Sequence, residues 1–222
     1  MAVLIYIIDR TLPPYPELVV EICGTYDDMI ERSSSRFSPY FHARSWYGGV
    51  KSPAKFRFLD PQYGFTAPAS HIVYVNFDWN IVESFSLFPQ TEPLMFDEAL
   101  KVALDLQDQW RAGGWYEFDP RDNPAFENTP EWRAKLRDAR NGSRTYWQAE
   151  KKYQVMLTFG RTLNERYPGF KPEDQRYKVG VYLSKARWLA PRKYDPAPKW
   201  ACPSGNNKMP NTAARGLSPE ID

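Results

Sequence analysis

The residues of this chain that could do chemistry are few and lie far apart. Its two histidines, His42 and His71, have no second ligand at a zinc-like spacing. Cys23 lies in an apolar, strand-like pattern, which raises the pKa of a thiol and favours packing over nucleophilic catalysis. With Cys202 it is compatible with one long-range disulfide or with two buried thiols. We expect no catalytic residue, no metal site and no cofactor.

A second group with chemical potential is acidic. It comprises Glu117, Asp119, Asp122 and Glu127. Carboxylates this close together could form a calcium loop or a glycosidase pair. Interposed prolines at 120 and 124 and the absence of the D-x-[DN]-x-[DN]-G spacing favour a solvated connection between helices. We predict that this loop contacts a basic surface on a partner.

Recognisable catalytic and nucleotide-binding motifs are absent from the sequence. The serine run at 33–35 lacks the G-x-S-x-G elbow, and no glycine pattern matches a dinucleotide fingerprint or a phosphate loop. This absence favours a binding role.

The charge is distributed unevenly along the chain. Residues 141–222 hold fifteen Lys and Arg against seven Asp and Glu, whereas residues 1–140 hold fourteen against twenty. Two oppositely charged parts of one fold explain this as well as an acidic partner does. Aromatic and basic residues also interleave at 56–58 and 177–188, a mixture that can stack bases but is also typical of exposed strands.

The loop at 37–47 is rich in aromatic side chains and arginine, the residues that dominate many protein interfaces. From it we predict Arg44, Trp46 and Tyr47 as partner-binding residues, together with Glu117, Asp119 and Asp122 from the acidic loop. In the alternative, Phe37, Phe41 and Trp46 fold back into the core.

Hydrophobic periodicity predicts an α+β fold with an antiparallel sheet. Alternation over 72–87 predicts a hairpin, the spacing over 96–112 an amphipathic helix ended by Gly113, and the pattern from Thr129 to about Arg140 a shorter second helix. Further strands are predicted at 18–23, 55–59, 153–159 and 179–183. We expect one domain over 17–189, divisible into strand-rich halves at 17–116 and 117–189, and an irregular tail over 190–222.

The N-terminal segment at 1–16 is apolar and then proline-rich. Residues 2–8 are too few to cross a bilayer and lack the basic flank of a signal peptide, which predicts an N-terminal strand. In the alternative, they are the trailing edge of a membrane anchor or signal segment.

One block of the sequence combines four structural patterns. It has a Phe-containing strand end at 75–78, a return strand at 82–87, a helix start with an acidic pair at 96–100, and a Gly-Gly-Trp sequence after the helix at 113–115. This block, about a fifth of the chain, resembles bacterial type VI secretion immunity proteins, especially those directed against lipase effectors. The resemblance implies a small α+β inhibitor that binds a secreted toxin, commonly facing the periplasm through a lipid or membrane anchor. The sequence departs from that pattern in showing no signal peptide or lipobox cysteine.

Together these observations predict a non-enzymatic protein that occludes a protein toxin, located in the periplasm or anchored to the inner membrane, with the cytoplasm as the alternative. We expect no nucleic-acid partner. Two other classes stay open: a nucleic-acid-binding protein that uses the basic C-terminal half, and an enzyme of unrecognised type that combines the acidic loop with His42 or His71. A structural component of a larger assembly is a further alternative.

Overall fold

The computed structural model describes residues 15–138, 143–162 and 175–186, together with Cys202. Along these residues the elements are β1 Glu17–Val20, α1 Tyr26–Arg32, β2 Ser45–Gly49, β3 Ala54–Phe58, β4 Phe65–Ser70, β5 Val73–Asp78, β6 Ile81–Leu87, α2 Phe96–Ala112, β7 Tyr116–Glu117, α3 Pro130–Asp138, β8 Ser143–Ala149, β9 Tyr153–Arg161 and β10 Tyr177–Lys185. The predictions for 1–14 and for the tail at 190–222, apart from Cys202, fall outside the described residues.

The strands form two sheets, which confirms the predicted α+β fold. The larger sheet has the order β2-β5-β6-β10-β9-β8-β7 and is antiparallel throughout, and the smaller has the order β1-β3-β4. Among the described strands, the one departure from antiparallel pairing is β1, which runs parallel to β3. Strands from 17–116 and from 117–189 join in the larger sheet, where β6 pairs with β10.

Helix α2 spans the predicted residues and packs its apolar stripe on the larger sheet and on β4. The buried residues of this stripe are Phe96, Ala99, Leu100, Ala103, Leu106, Gln107 and Trp110. The helix ends at Ala112, as predicted, but the glycine that takes the left-handed conformation is Gly114, with φ of 84°, and not Gly113, which keeps helical dihedral angles. Only glycine adopts that conformation without steric cost.

Helix α1 was not predicted, because seven residues are too few to show a helical period. Its start is fixed by a capping box, in which the Thr25 hydroxyl accepts a hydrogen bond from the Asp28 amide while the Thr25 amide donates to the Asp28 carboxylate. The serine run follows α1 and lies against the outer edge of β1, where Ser33 Oγ and Ser34 Oγ accept hydrogen bonds from the backbone. These serines are structural.

The core lies between the two sheets and is strongly aromatic. The side chains of Trp110, Trp147, Phe56, Phe58 and Phe85 are almost fully buried. Helices α2 and α3 lie on the same side of the larger sheet, since Phe96 of α2 and Phe126, which contacts Trp132 of α3, both pack on Phe159 of β9. In the described part of the chain, no helix is both long and apolar enough to span a membrane.

A disulfide joins Cys23, just after β1, to Cys202, 179 positions further along the chain. Of the two alternatives that the sequence leaves open for the cysteines, the structure shows the bridge. Cys23 is buried and adopts a positive φ of 69°, and its amide donates to the Val82 carbonyl, 2.9 Å away. The bridge therefore fixes Cys202 against the junction of the two sheets.

Candidate functional site

The aromatic loop divides between the core and the surface. The Trp46 side chain is in the core: Trp46 is only 8% exposed, its ring stacks on Phe77 at 4.3 Å between centroids, and its Nε1 donates to the Trp79 carbonyl. Tyr40 also packs on Trp46, edge to face at 5.4 Å. The prediction of Trp46 as a contact residue is therefore corrected, because strand β2 turns its ring inward.

Arg44 and Tyr47 lie on the surface, as a contact role requires. Tyr47 is 68% exposed, and its ring meets Tyr74 of the neighbouring strand edge to face at 5.8 Å. Phe41, in the same loop, and Trp79, in the β5–β6 turn, are also largely exposed. We call Phe41, Arg44, Tyr47, Tyr74 and Trp79 the aromatic edge. Tyr74 and Trp79 were missed because alternation within a hairpin does not show which sheet face is covered.

Trp79 is held in an unusual backbone conformation. Its φ is 55°, in the left-handed region that bulky side chains avoid at a cost of about 1–2 kcal/mol. Two hydrogen bonds fix it there: its amide donates to the Arg44 carbonyl at 2.5 Å, and its carbonyl accepts from Trp46 Nε1 at 2.6 Å. The turn thus presents a large ring to solvent in a strained position, and such strain is common at binding sites.

The charges beside this turn are solvent-exposed. Arg44 Nε lies 3.6 Å from Asp78 Oδ1, and both side chains are more than half exposed. An exposed pair of this kind contributes little to stability. The Arg44 guanidinium therefore stays available to an external acidic group.

The acidic loop is far from the aromatic edge. It follows β7, at the opposite end of the seven-strand order from β2, which corresponds to about 29 Å across the sheet at the usual strand spacing. Glu117 and Asp119 also have internal partners, because Glu117 Oε2 accepts from the Ala125 amide and Asp119 Oδ2 accepts from the Asn123 side chain. Asp122 is exposed. The predicted contact residues do not form one compact patch.

Between these two ends lies the face of the larger sheet that points away from α2 and α3. Its strand positions near the aromatic edge include four uncharged polar side chains, those of Asn76, Ser84, Ser86 and Tyr182. Asn76 Nδ2 donates to Ser84 Oγ across the strands at 3.0 Å. Tyrosine, serine and asparagine are the residues that antibody binding surfaces favour, because they offer contact area and adaptable hydrogen bonding.

The groups that an enzyme would need are not brought together in the described structure. His42 and His71 are exposed near β2 and β5, at the opposite end of the strand order from the acidic loop. No group of three His, Cys, Asp or Glu side chains within the described ranges could hold a metal ion. A surface groove of about 430 Å³ between α2 and the smaller sheet contains none of the predicted candidates.

One cluster of titratable groups joins the loop after β3 to the start of β9. Burial would raise the pKa of the Asp60 carboxyl, but amides of Tyr63 and Gln62, the Tyr153 hydroxyl at 2.9 Å and the nearby Lys152 together lower it. Burial, and then the bond to Asp60, raises the pKa of Tyr153. Both partners are used internally, so the cluster is explained by the packing of the loop.

Of the aromatic residues at 56–58 and 177–188, three are buried, Tyr182 is exposed, and Trp188 falls outside the described residues. Phe56, Phe58 and Tyr177 each have at most 5% of their surface exposed and belong to the core. They form the inner faces of β3 and β10 and offer no stacking platform there.

Comparison of the chain with protein-family models, with curated proteins and with solved structures gave no match.

Proposed function

We propose that this protein is a non-enzymatic binding protein that engages a protein partner through the aromatic edge. The observation that carries the proposal is the set of exposed rings on β2, β5 and their flanking loops, which includes Trp79, whose backbone two hydrogen bonds hold in a strained conformation. Exposed aromatic rings and arginine supply most of the energy in protein interfaces. A turn whose backbone is already fixed loses little conformational entropy of its own when it is bound.

The resemblance to type VI secretion immunity proteins gives this proposal its finer form. In that form the partner is a secreted antibacterial toxin, and the aromatic edge covers the toxin's active site or distorts it. Arg44 contributes an exposed positive charge beside the rings. Such a charge speeds the encounter with an acidic surface and helps to orient it.

The disulfide supports an extracytoplasmic location within the same proposal. Bridges such as Cys23–Cys202 persist in oxidising compartments and are rare where thiols are kept reduced. A periplasmic position, with or without a tether to the inner membrane, would place the protein where a delivered toxin acts.

The test compares wild type with a variant that lacks two rings of the aromatic edge, Tyr47→Ser/Tyr74→Ser. Both side chains are exposed, so the variant keeps the wild-type melting temperature. We expect wild type to recover one partner from cells of the source organism and the variant to lose it. The recovered partner, sent to the periplasm of a test bacterium, should stop growth, and co-expression of the wild-type chain should restore it.

The matched control is Tyr116→Ser, an exposed tyrosine at the opposite end of the sheet. It should recover the partner as wild type does. Equal recovery with all three proteins would contradict the proposed surface, and a partner that does not affect growth would contradict the toxin assignment alone.

A further inference from the structure

The outer edge of β2 has backbone groups that no described residue pairs with. Gly49 directs its amide and carbonyl away from β5, toward Ser38, at 3.0 Å each. Because hydrogen-bonding direction alternates along a strand, Ser45 and Tyr47 point the same way as Gly49. The two residues thus present two donors and two acceptors at this edge.

The other long edges in the described structure are protected. The amides of Glu17 and Val19 on β1 are bonded to the hydroxyls of the serine run. On β4, Thr66 exchanges two backbone hydrogen bonds with the Gln109 side chain. Proteins protect edges in this way to prevent unwanted strand pairing. The edge of β2, which lies beside the aromatic edge, therefore differs from the other long edges in being open to pairing with another strand.

Pro68 adds to the protection of β4. It falls two residues after Thr66, on the same outer side, and carries no amide hydrogen. At the far end of the larger sheet, β7 has only two residues and offers little length for pairing.

Positive charge surrounds the open edge of β2. Arg44 precedes the strand, and Lys51 follows it, where its amide donates to the carbonyl of exposed Arg36. Within the part of the chain that the structure describes, neither Arg36 nor Lys51 forms an ion pair. Asp78, whose residue pairs with Ser45, is already beside Arg44.

We propose that β2 takes up an extended, acidic segment of the partner by β-strand addition, a step that rests on the proposed function. The segment would bond to the backbone of Ser45 and Tyr47, lay alternate side chains beside the Tyr47 and Tyr74 rings, and place carboxylates near Arg36, Arg44 and Lys51. A second copy of this chain fits less well. Antiparallel pairing of two β2 strands about Tyr47 would bring Arg44 of one copy close to Lys51 of the other, and like charges across a pair are destabilising.

The test uses a synthetic ten-residue peptide in which glutamate alternates with threonine and valine. Amide exchange followed by NMR on the full chain should show that the peptide slows exchange at Ser45 and Tyr47 and leaves Thr66 unchanged. Replacing each glutamate by lysine, or methylating alternate peptide nitrogens, should weaken binding by about tenfold or more, the effect of losing a single interaction of ordinary strength.

A matched pair of variants tests the backbone contact directly. Ser45→Pro removes one outward amide, whereas Ser45→Ala keeps it, so the first should weaken peptide binding by about tenfold and the second should not. Unchanged exchange at Ser45 and Tyr47 in excess acidic peptide would overturn strand addition, as would equal binding of the lysine peptide. If the Tyr47→Ser/Tyr74→Ser variant still loses the partner in that case, the proposed function stands and only the mode of binding is wrong.

Discussion

At the residue scale, neighbouring aromatic residues play opposite parts. Trp46 and Tyr47 are adjacent in sequence, yet the first is in the core and the second is on the surface, because successive side chains of a strand point to opposite faces. The composition of the loop at 37–47 predicts that it contributes to a binding surface or to the core. It could not assign the two roles, since that requires the register of β2 on β5.

Trp79 gives a prediction at this scale. Trp79→Gly and Trp79→Ala both remove the ring, but only glycine relieves the left-handed strain at φ of 55°. We expect the glycine variant to have a free energy of unfolding about 1 kcal/mol higher than the alanine variant. Denaturant unfolding followed by circular dichroism measures the difference. Equal stability of the two variants would mean that the turn is not strained.

At the element scale, long and strongly periodic segments were predicted correctly. The hairpin of β5 and β6 and helix α2 have the predicted type and position. Strands β2, β4 and β8 were missed, because glycines, a proline and polar residues dilute their alternation. The placement of β10 between β6 and β9 depends on contacts between distant segments, which no local pattern records.

The contact between Asp60 and Tyr153 ties the loop after β3 to strand β9 and predicts a pH dependence. The folded pKa of Asp60 is lowered from its ordinary value of 3.8, so its contribution is present above that value and is lost as the pH falls through the folded pKa. We expect Asp60→Asn to lower the free energy of unfolding at neutral pH by about 1.5–3 kcal/mol, the usual range for hydrogen bonds to a charged group.

The gap between wild type and Asp60→Asn should close as the solution is acidified below the ordinary pKa of the carboxyl. Urea unfolding at a series of pH values measures it. Tyr153→Phe serves as the comparison: it removes one donor, at 2.9 Å, and should raise the folded pKa of Asp60 in an NMR titration. A gap that stays constant in acid would show that Asp60 contributes through packing and not through its charge.

At the scale of the whole molecule, the bridge between Cys23 and Cys202 closes almost the entire described chain into one loop. Cross-linking positions this far apart restricts the unfolded chain, and removing a native bridge typically costs about 2–5 kcal/mol. Cys202→Ser should therefore lower the melting temperature, and a reducing agent should lower that of wild type to a similar value. Reductant should leave the variant unchanged, and a wild-type chain insensitive to reduction would contradict the bridge.

The arrangement of the strands in the whole molecule explains why the sequence could not predict the composition of the site. Arg44 and Tyr47 were predicted together with the acidic loop, but the strand order places these groups at opposite ends of one sheet. Tyr74 and Trp79 join Tyr47 only because β5 pairs with β2. The residues of a surface that forms by strand pairing can be identified only when the pairing of the strands is known.

The central claim is that the protein binds its partner through the aromatic edge, and the affinity of the purified partner tests it most directly. The account predicts that Trp79→Ala and Tyr47→Ala each weaken binding by about tenfold or more, as central interface residues do, while Tyr116→Ala leaves the dissociation constant unchanged. A partner whose affinity is insensitive to Tyr47 and Trp79 but falls with Tyr116→Ala would contradict it.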